Sequence, residues 1–98
     1  MIDRVSKNEK KLDDILFSIS KLEDALDLFK MNLSNIDAVN KYYGSKAWFK
    51  DKDMHDKGII SCKAGVLGED SVWNMNEDIF ALISEMKEIV NFFDEKNR

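Results

Sequence analysis

VSKNEKKLDDILFSISKLEDALDLFKMNLSNI, residues 5–36, places apolar side chains at seven-residue steps in two interleaved series. Val5, Leu12, Ile19, Leu26 and Leu33 form one; Ile15, Leu22, Phe29 and Ile36 form the other, which only Asn8 interrupts. Residues three and four apart share one face of a helix, so this a/d heptad pattern predicts a long helix that packs lengthwise against another. Asn32, Ser34 and Asn35 are weak helix formers, because their side chains compete for backbone hydrogen bonds. Leu33, Ile36 and Tyr43 nevertheless keep the phase, and the reading is a single helix over residues 3–43, bent near Ser34. Gly44 supplies its stop, since glycine tolerates the left-handed conformation that closes many helices.

The last third repeats the pattern. Val72, Ile79, Met86 and Phe93 fall in one series and Met75, Leu82 and Ile89 in the other, with Ile83 and Val90 widening the stripe. This predicts a second long helix over residues 69–96, with Gly68 as N-cap, Glu69 and Asp70 in its first turn and cations near Lys96 or Arg98 at its end. Between the two lies a connector, residues 44–68. Ser45 is placed to cap a short helix running to about Asp53 and presenting Trp48 and Phe49; Gly58 and Gly65 mark loop from Met54 to Leu67. Ile59, Ile60, Val66 and Leu67 are short apolar anchors for that loop. The expected fold is all-α: a long antiparallel helical hairpin, with a short helix and a loop in the connector, forming a small helical bundle.

Ninety-eight residues suit one domain, 1–98, and the absence of proline beside 35% charged and 44% hydrophobic residues suits amphipathic helices. A single cysteine forms no internal disulfide, the N-terminal MIDRVSKNEKK lacks the apolar run of a signal peptide, and no stretch reaches the roughly 20 apolar residues of a membrane span. A cytoplasmic protein without membrane association is expected. Charge is unevenly spread within the net −4: residues 1–41 hold eight acids and seven bases, residues 42–68 three acids and five bases, and residues 69–98 eight acids and three bases. An acidic C-terminal third repels a phosphate backbone, which argues against direct nucleic-acid binding and for a basic protein partner.

Tyr42 to Ser45 (YYGS), Trp48, Asp51, Gly58, Lys63 to Asp70 (KAGVLGED) and Trp73 together resemble the small bacterial proteins grouped as domain-of-unknown-function family 4298. The likeness runs over essentially the whole chain, with Gly68 and Ser61 standing where that family usually shows serine and often shows proline. It implies a helical fold and brings no activity with it.

Candidate chemistry concentrates in the connector. Asp51, Asp53, His55 and Asp56 crowd together, but a calcium loop begun at Asp51 would need glycine where Asp56 stands and glutamate where Cys62 stands. His55 and Cys62 lack both paired metal-ligand spacing and a third residue to orient a nucleophile. The turn Gly65 to Gly68 leads into two carboxylates, the wrong charge for a phosphate cradle. No catalytic residue, cofactor or metal is therefore expected, and the protein reads as non-enzymatic. Tyr42, Tyr43, Trp48, Phe49 and Trp73 are expected to gather as an aromatic cluster, with Trp48 or Trp73 available as a binding anchor. Asp78 and Glu85 lie one heptad apart, as do Glu88 and Glu95, in columns flanking the apolar seam.

The functional expectation is a small protein-binding protein of the immunity or antitoxin type. Glu77, Asp78, Glu85 and Glu88 would neutralise a basic toxin domain, such as a nuclease, while Trp48 or Trp73 anchors it. The alternative is a self-associating structural or adaptor module: Phe17, Leu28 and Met31 lie opposite the heptad seam, where they could form a homodimer contact.

Overall fold

The computed structural model describes residues 2–97, with the side chain of Ile2 left aside; Arg98, one of the cations expected at the last helix end, lies outside them. The described residues form helices joined by turns and one short irregular stretch, without a strand: α1 (Ile2–Met31), α2 (Leu33–Tyr42), α3 (Lys46–Asp56), a 3-10 turn (Gly65–Leu67) and α4 (Ser71–Lys96). The chain is all-α.

The helix expected over residues 3–43 is interrupted once, at Asn32, two residues before the bend expected at Ser34. Asn32 donates its backbone N–H to the Phe29 carbonyl at 2.9 Å, a tightened turn, while its side-chain amide donates to the Leu28 carbonyl at 3.0 Å and accepts from Asn35 at 3.1 Å. Helical bonding resumes when the Ile36 N–H reaches the Asn32 carbonyl at 2.9 Å. This is the local competition by which asparagine disfavours helix interiors. Upstream, α1 has no glycine to weaken it, and Lys7–Asp3 and Lys10–Asp14, each at 3.2 Å, add i,i+4 pairs worth about 0.3–0.5 kcal/mol apiece at an exposed helix surface.

Gly44 has φ +79°, as a helix-stopping glycine should. Ser45 then caps α3, its Oγ accepting from the Trp48 N–H at 3.2 Å. α3 runs to Asp56, three residues beyond the expected end, and closes at Gly58. With φ +78°, Gly58 donates to the His55 carbonyl and Ile59 to the Met54 carbonyl, both at 2.9 Å; this paired closure satisfies carbonyls that the helix end would leave bare. Met54, His55 and Asp56 are thus helical rather than loop.

The start of α4 also differs from expectation. Gly68 closes the 3-10 turn, donating to the Gly65 carbonyl at 3.0 Å, and so is not the N-cap of α4. Asp70 takes that position in an αR backbone conformation without a side-chain cap bond; Glu69 and Asp70 therefore precede the first turn, which contains no acid. The chain spent Gly68 on one turn and could not use it to start the next.

The chain divides into two compact units, up to Asp37 and from Ala38 onward. The first holds α1 and the opening of α2, and the apolar stripe of α1 is exposed. The second holds the end of α2, α3, the 3-10 turn and α4 around a small core. Trp48, Leu67 and Val72 are its buried side chains, at 4%, 6% and 3% exposure, with Ile60, Val66, Met75 and Ile79 half-buried around them. The Trp48 indole N–H donates to the Val66 carbonyl at 2.9 Å, so the largest side chain of the core is buried with its one polar group satisfied.

Candidate partner-binding surface

The connector's rare residues work as a brace. Tyr43 and Phe49 each meet the Trp48 ring edge-on, at centroid separations of 5.1 and 4.9 Å, and the Tyr43 hydroxyl donates to the Glu69 carbonyl at 2.9 Å. The Tyr42 hydroxyl donates to the Asp51 carboxylate at 2.6 Å. That hydrogen bond, desolvation and the nearby negative charge all favour the neutral phenol, which raises its pKa above the ordinary 10.0. Lys57 and Asp53 pair at 2.8 Å on the last turn of α3, and their hydrogen bond raises the lysine pKa. These contacts tie the end of α2 and the approach to α4 to the connector. Among the described residues, no three of His, Cys, Asp and Glu come together to hold a metal, and Cys62 is an exposed free thiol.

The two tryptophans separate. Trp48 sits in the core, where a partner could reach it only by opening the connector, whereas Trp73 is 62% exposed on the first turns of α4. The reason is helical phase: Val72 belongs to the a/d series and turns inward, and the next residue projects about 100° away. Phe80, one heptad after Trp73 and also off the a/d series, is 66% exposed on the same side. Sequence reading passed over Phe80, although its spacing from Trp73 was the signal.

Glu77, Asp78, Glu85 and Glu88 are all exposed on α4, and none has an ion-pair partner among the described residues. At 3.6 residues per turn they fall within an arc of about 100°, spread over roughly 16 Å of helix axis. Trp73 stands one turn before Glu77, at i,i+4 spacing, and borders this arc. The arrangement combines a uniform negative field with two apolar anchors on one rigid helix. A field of one sign on a rigid face attracts charge of the opposite sign. Phe17, Leu28 and Met31, on α1, are exposed as well, with the Lys21 ammonium 5.3 Å from the Phe17 ring.

No helix among the described residues is long and apolar enough to cross a membrane. Comparison with known proteins finds one family model, described as a domain of unknown function (DUF4298), that matches residues 5–89. No curated protein and no solved structure matches the chain.

Proposed function

The chain belongs to the DUF4298 family, a domain of unknown function, and from that premise we propose that it is a small non-enzymatic protein-binding protein acting on a basic partner. The observation that carries the reading is the exposed, unpaired acidic arc of α4 with Trp73 at its border. A basic toxin domain, such as a nuclease, is the partner this chemistry fits: its substrate-binding cations would meet carboxylates in place of phosphates, Trp73 and Phe80 would fill apolar recesses between them, and occlusion would follow without any bond being made. A cytoplasmic setting, where such a toxin would do harm, belongs to the same proposal.

The test is binding to a basic toxin domain encoded beside this gene, followed across salt concentration. Replacing Glu77, Asp78, Glu85 and Glu88 together by lysine should abolish binding, and the native complex should weaken steeply as salt rises. Binding indifferent to both changes would overturn the proposal. A second reading, a self-associating adaptor, is supported by the exposure of Phe17, Leu28 and Met31. A dimer that Leu28→Glu disrupts would favour it.

A further inference from the structure

We infer that Trp73, Glu77 and Phe80 form a notch on α4 that takes the guanidinium group of an arginine on a partner protein. The inference rests on the basic-partner reading and names the cation which that partner presents. Glu77 is the helical neighbour of both rings, four residues after Trp73 and three before Phe80, so the three side chains share about 60° of helix surface over roughly 10 Å of axis. All three are exposed, and the face they share lies off the a/d seam to which Val72 belongs.

Other aromatic residues of the chain show what these two rings lack. Phe17, Trp48 and Phe92 are each followed four residues later by a lysine whose ammonium lies over the ring, Lys21 at 5.3 Å, Lys52 at 6.0 Å and Lys96 at 5.6 Å. Four residues after Trp73 stands Glu77, four after Phe80 stands Ser84, and neither ring carries a cation among the described residues. Phe49 also has a carboxylate at that spacing, but Asp53 is already paired with Lys57 at 2.8 Å, whereas Glu77 has no ion-pair partner among the described residues. A ring face attracts a cation electrostatically, and a carboxylate between two such faces adds a charged acceptor. The cation that completes this set therefore comes from outside the chain. Arginine suits it better than lysine. A guanidinium is planar and weakly hydrated, so it can lie flat on a ring while its N–H groups donate to a carboxylate, whereas an ammonium is a compact, strongly hydrated point charge.

Two fluorescently labelled peptides of equal charge, hexa-arginine and hexa-lysine, test this by anisotropy against the full-length protein. Both should bind, both should weaken as salt rises, and hexa-arginine should bind about threefold or more tighter. Trp73→Leu and Glu77→Gln should each abolish that preference. Glu88→Gln, within the acidic arc but beyond the notch, should weaken both peptides alike, and Phe92→Leu, at a ring that Lys96 already covers, should leave the preference intact. Circular dichroism establishes that each variant remains helical. Equal binding of the two peptides by the native protein, or a preference that survives Trp73→Leu or Glu77→Gln, overturns the notch and leaves the acidic arc standing. If neither peptide binds at about 1 mM in low salt, the notch and the basic-partner reading fall together.

Discussion

Asn40 and Asn76 clasp one another through both ends of their amides. The Asn40 amide donates to the Asn76 carbonyl oxygen at 3.2 Å, the Asn76 amide returns the bond at 2.9 Å, and Asn76 also reaches the Val72 carbonyl at 3.1 Å. The pair joins residues 36 positions apart and fixes the end of α2 against the first turns of α4.

Asn40→Ala and Asn76→Ala are each expected to lower unfolding free energy by about 0.5–1.5 kcal/mol, the net value of such bonds near a surface. Because each substitution breaks the same clasp, the double variant should lose less than the sum, by about 0.5–1 kcal/mol. Urea denaturation of the four proteins measures the coupling. Strict additivity would show that the two amides do not act together.

Trp48→Phe should cost about 2–4 kcal/mol, since it opens space in a small core and leaves the Val66 carbonyl without its indole donor. Trp73→Phe, at an exposed position, should change stability by less than about 0.5 kcal/mol. The same denaturation experiment compares them. Equal losses would contradict the opposite placements of the two indoles.

The Tyr42 phenol should titrate above the ordinary tyrosine value when absorbance of the phenolate is followed, and Asp51→Asn should bring it down by removing the adjacent charge. The folded state favours the neutral phenol, so its contribution to stability is fully present below the unfolded pKa of about 10 and is lost as pH rises through the higher folded value. Tyr42→Phe should remove that alkaline loss. A titration unchanged by Asp51→Asn would refute the pairing.

Gly58→Ala should cost about 1–2 kcal/mol through backbone conformation alone, because its φ of +78° is unfavourable for a residue with a Cβ and nothing lies within 4 Å of where that Cβ would stand. Gly65 has equally open surroundings and no positive φ, and Gly65→Ala should gain about 0.5 kcal/mol by stiffening the unfolded chain. Thermal unfolding separates the two. A matching loss at both positions would rule out the conformational explanation.

Periodicity made the helices readable, and local chemistry made some of their ends readable: Ser45 caps α3 and Gly44 stops α2 through mechanisms that depend on one side chain or one dihedral angle. Asn32 was harder to read because the heptad phase passes through it intact. The break arises from its amide competing for the Leu28 carbonyl, and a hydrophobic pattern does not register that. Gly68 was misplaced for a related reason, since two consecutive turns could use the same glycine and only their hydrogen bonds show which does. At the candidate surface, the acids were legible as exposed charge. The fates of the tryptophans were not legible from composition, although Trp73, one position past Val72, was already out of phase with the seam.

That separation gives the protein a built-in pair of optical reporters. Trp48, held dry in the core, should emit toward the blue and resist a soluble quencher, while Trp73, in water, should emit toward the red and be quenched freely. Anything that opens the connector will register at the first indole, and anything that lands on the acidic arc at the second. One unlabelled sample can therefore distinguish a partner that binds this protein from a condition that unfolds it.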